Sequence, residues 1–144
     1  MIKIDISKKL HGSNGDMNLD VKLEINKHDF IALSGLSGSG KTTLLRVLAG
    51  LEESSGSIEV DGKTWQDENT NLPAQKREIG FVFQDYALFT NMSVKENLLY
   101  VKNDISLANK LLEITELLEL QNRLPNTLSG GQKQRVSLCR AMMN

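Results

Sequence analysis

The sequence has little of what stabilises small secreted proteins or anchors a chain in a membrane. Its 144 residues include one cysteine, Cys139, so the chain can form no internal disulfide, which favours a reducing compartment. No apolar run approaches the roughly 18 residues that cross a bilayer, and the first residues do not resemble a signal peptide. We therefore expect a cytoplasmic protein that reaches a membrane only through a partner.

The charges are almost balanced. Lys and Arg number 17, Asp and Glu number 18, and the formal net charge is −1. Because nucleic-acid binding usually requires an excess of basic residues, this balance gives no reason to expect nucleic acid as a partner. The length is typical of one domain, which can bury roughly 70% of its unfolded surface.

The chain does contain a glycine-rich segment that matches the phosphate-loop pattern G-x-x-x-x-G-K-[ST] at every fixed position. The apolar run Phe30–Ser34 precedes it and predicts a buried strand. Helix-forming residues from Thr43 to Ala49 follow it, and Gly50 is expected to end that helix. The residues expected to contact a nucleotide here are Gly35, Leu36, Ser37, Gly38, Ser39, Gly40, Lys41, Thr42 and Thr43.

These residue types suit a polyanionic ligand. Glycines let the backbone turn tightly and bring its N–H groups close to phosphate oxygens. A helix that begins near Lys41 would present unpaired N–H groups and the positive end of its dipole to the same oxygens. We expect Lys41 to reach the β- and γ-phosphates and the Thr42 hydroxyl to ligate Mg²⁺, so ATP and Mg²⁺ are the expected cofactors.

The remaining pattern before residue 85 predicts mostly strands and turns. Ile2–Ile6 and Leu19–Ile25 alternate apolar and polar residues and could form a hairpin, with a turn-rich loop at His11–Asp16. Ser57–Asp61 predicts a strand, and residues 66–78 predict a surface loop. Ile79–Phe83 predicts a second buried strand with Gln84 at its end, where ligand-facing residues of α/β sheets tend to lie.

Beyond Gln84 the pattern predicts helices. Ser93 with Glu96, and Ser129 with Gln132, each match a capping box at a helix start. Ser106 is expected to begin a longer helix, and Val136, Cys139 and Met143 are expected to be core residues of the last one. The apolar face of the longer helix is formed by Leu107, Leu111, Ile114 and Leu118, broadened by Ala108, Leu112 and Leu117; we interpret it as packing inside a helical subdomain, with a docking helix for another protein as the alternative.

Three segments in this order resemble the motifs of ATP-binding cassette ATPases. Residues 35–43 look like the Walker A motif, Phe83-Gln84-Asp85 like the Q-loop, and Leu128-Ser129-Gly130-Gly131-Gln132 like the signature motif. The run from Leu72 to Asp85 is similar to bacterial importer subunits, and the chain looks most like the ATPase of molybdate or tungstate importers. The resemblance implies an α/β fold: a P-loop NTPase with a RecA-like core, an antiparallel β portion and a helical subdomain.

The resemblance also implies roles for individual residues. Such proteins form head-to-tail dimers, so Ser129, Gly130, Gly131 and Gln132 would face the nucleotide held by the partner's Lys41. Gln84 would contact Mg²⁺ and the attacking water, which places it with Lys41 in catalysis and with Thr42 at the metal. The segment from Asp85 to about Leu99, with Tyr86 and Phe89, would contact a transmembrane permease at the inner face of the membrane, although both aromatic residues could equally be core.

The sequence departs from the family pattern in two places. No aromatic residue lies between Ile6 and Met17 to stack on adenine; only His11 could serve there, and a solvated loop histidine is the other interpretation. No run of four apolar residues followed by Asp is present, so neither a Walker B aspartate nor a catalytic glutamate is evident. We expect a single domain, 1–144, that lacks the C-terminal part of its core, with the nucleotide-binding core at 1–84 and the helical subdomain and signature helix at 85–144.

The expected function is ATP binding and, in the intact protein, ATP hydrolysis that drives solute import. Two alternatives stay open. One is a soluble cassette ATPase of DNA repair or translation, although the long insert of the repair type is absent between Gln84 and Ser129. The other is a nucleotide-binding module without turnover, a description that would fit the 144-residue chain itself.

Overall fold

The computed structural model describes residues 1–12 and 15–144. It divides into two compact units, Met1–Arg77 and Glu78–Asn144, and each unit is described by itself below. The single domain with a division after residue 84 therefore stays a prediction. Within the described ranges, no helix is both long enough and apolar enough to cross a membrane.

The first unit is built on a four-stranded antiparallel sheet with the strand order β2-β1-β3-β4. Strand β1 (Ile2–Gly12) pairs with β2 (Gly15–Ile25) on one side and with β3 (Ser55–Val60) on the other. Strand β4 (Lys63–Gln66) pairs with β3. The predicted hairpin of β1 and β2 and the predicted strand near 57–61 are thereby confirmed.

Helix α1 (Lys41–Leu48) packs on one face of this sheet and closes its core. The alternating pattern of the strands directs their apolar side chains to that face, as a half-buried strand requires. The helix ends as predicted, because Gly50 adopts a left-handed φ of 71° directly after it. The buried side chains of this core are Ile4, Ile6, Leu44, Val47 and Ile58.

The hairpin is longer than the sequence predicted. The prediction of a loop at His11–Asp16 was wrong at its two ends, because His11 and Asp16 face each other in the strand ladder. Asp16 also forms a cross-strand ion pair with Lys9 (2.8 Å) and lies 2.7 Å from His11 Nδ1, and such contacts favour continued strand pairing. Ser13 and Asn14, the centre of that predicted loop, lie outside the described residues.

Two predicted strands are absent from the described chain. Neither Phe30–Ser34 nor Ile79–Phe83 pairs with another strand, and Phe30 is 97% exposed. A fully buried strand needs hydrogen-bonding neighbours, and an apolar run alone does not supply them. No described segment pairs with either run, so the two predictions were wrong for this structure.

The predicted surface loop at 66–78 is partly internal. Gln66 ends β4 and is buried, and its Nε2 donates to the backbone O and the Oγ of Ser54, both at 2.9 Å. Arg77 at the other end of the segment is 1% exposed. The polar composition of this segment thus reflects side chains that hydrogen-bond to backbone inside the unit as well as side chains in water.

The second unit is helical. Its main helices are α2 (Val94–Leu99), α3 (Ile105–Ile114) and α4 (Gly130–Ala141). Short 3-10 turns at Leu118–Leu120 and Pro125–Thr127 join α3 to α4. The buried side chains are Val94, Leu98, Ala108, Leu111, Leu112, Leu117, Leu128, Val136, Cys139 and Met143.

The predicted helix starts and faces agree with this unit in most respects. Both capping boxes are present, one at Ser93 and one at Ser129. Asp104, and not Ser106, caps α3, because its carboxylate accepts the Leu107 amide at 2.9 Å. Ile114 is 68% exposed, since the buried stripe of α3 is centred on Ala108, Leu111 and Leu112 and the helical period is lost after residue 114.

Cys139 is fully buried on the core face of α4, as predicted. Its Sγ lies 3.3 Å from the Thr115 hydroxyl. Burial raises the pKa of the thiol, and the hydrogen bond from Thr115 offsets this only in part. The residue therefore behaves as a small hydrophobic side chain with one polar contact.

Asn97 holds the irregular backbone that leads into α2. The side chain is fully buried. Its Oδ1 accepts the Phe89 amide at 2.9 Å, while Nδ2 lies 3.0–3.1 Å from the carbonyl oxygens of Phe89, Met92 and Ser93. Buried backbone groups need hydrogen-bond partners. Here the Asn97 amide supplies the hydrogen bonds that a helix or strand would otherwise provide.

A tight turn follows Gln84 and is fastened to α4. Tyr86 and Ala87 have φ values of 64° and 44°, which L-residues rarely adopt. Arg140 donates from Nη1 to the Ala87 carbonyl at 2.7 Å and from Nη2 to the Tyr86 carbonyl at 3.2 Å. The Ser137 hydroxyl also donates to Tyr86 O, at 3.1 Å. Helix α4 thus holds the strained turn in place.

We predict that Asn97→Ala lowers the free energy of unfolding by about 2–3 kcal/mol, because it leaves buried backbone groups without partners. Urea denaturation followed by circular dichroism measures this change. Asn103→Ala, at an exposed position, is the matched control and should stay within about 0.5 kcal/mol of the parent. Equal stabilities for the two variants would contradict the assigned role of Asn97.

The strained turn predicts opposite effects for two substitutions. Ala87→Gly should leave stability unchanged or raise it by up to about 1 kcal/mol, because glycine accepts the left-handed conformation without strain. Arg140→Met should lower stability by about 1–3 kcal/mol through the lost carbonyl contacts, whereas Arg135→Met, at an exposed site of the same helix, should have little effect. A clearly destabilised Ala87→Gly variant would show that residue 87 does not adopt the positive φ.

Candidate functional site

The phosphate-loop segment forms a compact turn directly before α1. Gly38 and Gly40 adopt left-handed φ values of 82° and 86°, a region that glycine enters without a steric penalty. A Cβ on Gly40 would lie 3.0–3.2 Å from side-chain carbons of Leu10 and Leu19. Glycine at position 40 therefore allows both the turn and its close packing on the hairpin.

Lys41 closes this loop. Its Nζ donates to the carbonyl oxygens of Gly35 (2.8 Å) and Leu36 (2.7 Å) and lies 3.2 Å from the Ser39 hydroxyl. The ammonium group is thus held above the loop by the carbonyls of its own turn. Its positive charge therefore lies on the inner side of the loop, next to the Gly35 and Leu36 carbonyls.

The start of α1 adds free hydrogen-bond donors to this charge. The first backbone bond of the helix runs from Leu44 N to Gly40 O at 2.8 Å, so the amides of residues 41–43 have no intrahelical acceptor. These amides and the Lys41 side chain all belong to the first turn of α1, at the positive end of the helix dipole. Thr42 is exposed at this end.

A cavity of about 650 Å³ lies beside the loop. One wall is the phosphate loop itself, and the other is formed by strands β1 and β2 together with the turn after α1. Its lining residues are Lys8, Lys9, Leu10, His11, Met17, Ser37, Gly38, Ser39, Gly40, Lys41, Thr42, Thr43 and Glu52. All belong to the first unit, so the cavity is a property of that unit alone.

The cavity lining favours an anion. Glu52 is the one carboxylate in the lining, and it contacts two cations, Lys8 Nζ at 3.4 Å and Arg46 Nε at 3.0 Å. Lys8 also donates to the Glu53 carbonyl at 2.6 Å. Because Glu52 faces two cations and Lys9 is paired with Asp16, Lys41 leaves the lining with a net positive charge.

His11 lies on the cavity wall as a strand residue. Its Nδ1 is 2.7 Å from an oxygen of Asp16, whose other oxygen lies 2.8 Å from Lys9 Nζ. These two contacts, with Lys9 first, lower the pKa of Asp16. The interpretation of His11 as a solvated loop residue was wrong about the loop, because the strand continues through it, although the side chain is 74% exposed.

Sequence reasoning missed the hairpin side of this cavity, namely Lys8, Lys9, Leu10, Met17 and Glu52. The alternation of β1 predicted its register, but not how far the pairing of β1 and β2 continues. Leu10 and Met17 are paired across the ladder, and both line the cavity beside the phosphate loop. The signal that could have found them is the opposite charge of Lys9 and Asp16, each three residues outside the predicted strands Ile2–Ile6 and Leu19–Ile25.

The other predicted site residues lie in the second unit. Gln84 is exposed and begins the turn that α4 holds through Tyr86 and Ala87. Ser129 caps α4: its Oγ accepts the Gln132 amide at 3.3 Å, and its own amide donates to Gln132 Oε1 at 2.8 Å. The structure thus gathers residues 35–43 in one unit and places Gln84 with residues 129–132 in the other.

The start of α4 has an open surface. Gly130 and Gly131 are exposed. A Cβ at Gly131 would meet no atom within 4 Å, and one at Gly130 would approach only Tyr86 Oη, at 3.9 Å. The helix N-terminus can therefore be approached closely by a ligand, and the Ser129 hydroxyl keeps its proton available for donation.

The described residues include no group of three or more His, Cys, Asp or Glu side chains arranged to hold a metal ion. The remaining candidate for the first unit is the Thr42 hydroxyl. A magnesium ion that accompanies a nucleotide takes most of its ligands from phosphate and water. One hydroxyl at this position therefore fits such an ion, and no acidic cluster is required.

Comparison with known proteins identifies the family. Residues 19–144 match the family described as ABC transporter. The chain is 43% identical over its whole length to the spermidine/putrescine import ATP-binding protein PotA of Haemophilus influenzae. It is 45% identical over 98% of its length to the sulfate/thiosulfate import ATP-binding protein CysA of Mesostigma viride, and 42% identical over 87% to the molybdenum import ATP-binding protein ModC 1 of Azotobacter vinelandii.

The aligned region is one part of each relative. It spans 40% of the Haemophilus protein, 42% of the Mesostigma protein and 37% of the Azotobacter protein. The match to the family nevertheless covers both units of this chain, from strand β2 to the end of α4. The chain therefore belongs to the ABC transporter family, and its fold class is that of the P-loop NTPases.

Proposed function

We propose that this chain is the ATP-binding part of an ABC import ATPase. The observation that carries the proposal is the Lys41 ammonium group, held over a glycine turn at the start of α1 and facing a positively charged cavity of about 650 Å³. The loop amides and Lys41 would bind the phosphates. The rest of the cavity, with Leu10, His11 and Met17, would hold the nucleoside.

The residues of the first unit fit a nucleoside triphosphate with Mg²⁺. Binding transfers Lys41 Nζ from loop carbonyls to phosphate oxygens, which are stronger acceptors because they are charged. Thr42 would ligate Mg²⁺, which neutralises charge on the phosphates when bound. Gly35, Leu36, Ser37, Gly38, Ser39, Gly40 and Thr43 would supply the rest of the cradle through their backbone and short side chains.

Gln84 is proposed to orient the water that attacks the γ-phosphate and to contact the metal. An amide side chain can position a water molecule, but it cannot accept its proton at neutral pH. The exposure of Gln84, at the start of a turn that α4 holds firmly, supports a role in positioning. In the whole protein we propose that Lys41 and Gln84 act together in ATP hydrolysis.

The signature residues are proposed to complete the site of a second copy in a head-to-tail dimer. The open start of α4, with Ser129 capping it and Gly130 and Gly131 exposed, supports contact with an anion from outside this chain. Gln132 fixes the Ser129 backbone through the reciprocal cap, so its proposed role is to keep that surface in shape. The nucleotide contacted would be the one bound to the partner's Lys41.

The segment from Asp85 to about Leu99 is proposed to contact a membrane permease, which would place the protein at the inner face of a membrane. Phe89 and Tyr100 expose a pair of aromatic rings whose centroids are 4.6 Å apart and whose planes are tilted by 54°. Arg140 lies over the Phe89 ring at 5.4 Å. Exposed aromatic rings beside a cation suit a protein interface. Tyr86 is instead half-buried and held by α4, which favours the core alternative for that residue.

The transported solute is proposed to be a small ion, with molybdate or another small anion as the narrower candidate. The relatives named for sulfate or thiosulfate and for molybdenum support an oxyanion, whereas the relative named for spermidine and putrescine points to a cation. Because the ATP-binding site and the proposed permease surface involve no contact with solute, the choice rests on the permease.

One observation supports the alternative that the 144-residue chain binds nucleotide without turnover. The cavity lining holds one carboxylate, Glu52, and this group is engaged by Lys8 and Arg46. A general base needs a free carboxylate within hydrogen-bond reach of the attacking water. Binding without hydrolysis is therefore the proposed behaviour of the chain by itself. The soluble repair and translation ATPases have no comparable observation in their favour.

The first test of the proposed function is Lys41→Ala. We predict that it abolishes ATP–Mg²⁺ binding without unfolding the chain, because the lysine contacts loop atoms and lies outside the buried core. Isothermal calorimetry measures binding, and circular dichroism verifies folding. Lys22→Ala, at an exposed lysine of β2, should bind like the parent. If Lys41→Ala bound ATP–Mg²⁺ with the affinity of the parent chain, the proposal would be wrong.

We also predict that the 144-residue chain does not hydrolyse ATP above background. Losing a general base typically slows a reaction by about 10²–10⁴-fold, and loosely positioned groups can cost about another 10²-fold. Phosphate release from the purified chain, with Lys41→Ala as the control for contaminating ATPases, measures turnover. Lys41-dependent release at about one per second, within the ordinary range of enzyme turnover, would show that a base is present that we have not identified.

A further inference from the structure

Arg77 is a buried cation with an unusual set of partners. Its side chain is 1% exposed. Across the residues that the structure describes, no carboxylate lies within ion-pair distance of it. Burial lowers its pKa, but a guanidinium group stays protonated in proteins. Since burying an unpaired charge is costly, other polar groups of the unit must compensate for it.

The compensation comes from four oxygen atoms. Nη1 donates to the carbonyl oxygens of Val47 (2.8 Å) and Leu48 (2.9 Å), at the end of α1. Nε donates to Leu72 O at 2.8 Å, and Nη2 donates to the Asn71 side chain at 3.1 Å. The guanidinium group therefore joins the carboxyl end of α1 to the segment after β4.

Two neighbours fix the plane of the guanidinium group. Trp65 lies beside it, with 5.7 Å between Cζ and the ring centroid. Gly50 leaves the space on another side, because a Cβ there would lie 2.7 Å from Arg77 Nε. Glycine at position 50 thus allows the left-handed backbone that ends α1. It also leaves room for the guanidinium group of Arg77.

The charge is placed where the helix dipole favours it. The carboxyl end of a helix carries a partial negative charge, and a cation there stabilises it. Helix α1 has eight residues, so its two ends are only about 12 Å apart. Arg77 holds one end, and the phosphate loop with Lys41 forms the other. A tilt of so short a helix would displace Lys41 and Thr42 directly.

We propose that Arg77 is a positioning residue for nucleotide binding: it holds the carboxyl end of α1 so that the phosphate-binding end keeps its geometry. This inference rests on the proposed function of the phosphate loop. Arg77 touches no ligand and acts through the helix. Arg77 is also the last residue of the first unit.

The test compares Arg77→Met and Arg77→Lys with Lys76→Met, which removes a charge from the exposed neighbour. ATP–Mg²⁺ binding to the full chain is measured by calorimetry at a temperature at which circular dichroism shows each variant to be folded. Arg77→Met should weaken binding by about 10- to 100-fold, because small displacements of positioned groups have effects of this size. Lys76→Met should bind like the parent.

Arg77→Lys separates positioning from general stability. Lysine keeps the charge but cannot donate to the α1 carbonyls and to Leu72 at the same time. Its affinity should therefore lie between those of the parent and Arg77→Met. If Arg77→Met does not fold, Arg77→Lys decides: parental affinity in a folded lysine variant overturns the proposal, as parental affinity in Arg77→Met does.

A ligand-free measurement distinguishes failure of this inference from failure of the proposed function. Amide hydrogen exchange in α1 should be faster in Arg77→Met than in Lys76→Met, even without nucleotide. If the parent chain does not bind ATP–Mg²⁺, the proposed function fails, and this exchange experiment alone decides the role of Arg77. Equal exchange rates in residues 41–48 of the two variants would overturn that role.

Discussion

The first unit depends on one local constraint: the carbonyl groups inside the loop before α1 need a hydrogen-bond donor. The turn at residues 35–40 directs carbonyls of Gly35 and Leu36 to one point, and the Lys41 ammonium occupies that point. The turn requires left-handed backbone at Gly38 and Gly40. The absence of a side chain at Gly40 in turn lets Leu10 and Leu19 of the hairpin pack against it. The hairpin is thereby both the support of the loop and the second wall of its cavity.

Polar side chains also hydrogen-bond to backbone groups at other irregular or terminal segments of the described chain. Asn97 does so for residues 89–93, Arg140 with Ser137 for the turn after Gln84, and Arg77 for the end of α1. Such contacts are directional, so they fix geometry more tightly than apolar packing of similar area. Helix α1 and the turn after Gln84 carry or adjoin residues that we assign to nucleotide binding or hydrolysis, whereas residues 89–93 belong to the proposed permease segment.

The sequence predicted those features whose causes are local. The phosphate loop, the capping boxes at Ser93 and Ser129 and the end of α1 at Gly50 each follow from a few adjacent residues. The cavity wall did not follow, because the positions of Lys9 and Met17 depend on how far two strands remain paired. The burial of Arg77 was also missed. A charged residue in a polar segment is expected to be exposed to solvent, and the sequence does not show that the carbonyl groups at the end of α1 accept its hydrogen bonds.

The two wrong strand predictions have a related cause. Phe30–Ser34 and Ile79–Phe83 have the apolar composition of buried strands, but a strand exists only as part of a ladder. Composition is a property of the segment, whereas pairing is a property of its neighbours. The predicted site residues Gln84 and Gly35 are next to these runs. Their proposed roles rest on motifs of a few adjacent residues and do not depend on whether the neighbouring run forms a strand.

The buried position of Cys139 has a practical consequence. Its thiol is fully buried, contacts Thr115 and has a raised pKa, so little nucleophilic thiolate forms near neutral pH. Alkylating reagents and mild oxidants should therefore leave the native chain unmodified. A cysteine introduced at an exposed position would be the single reactive thiol, and a spectroscopic probe could be attached there without first removing Cys139. The natural sequence thus already provides a chemically silent background for distance measurements.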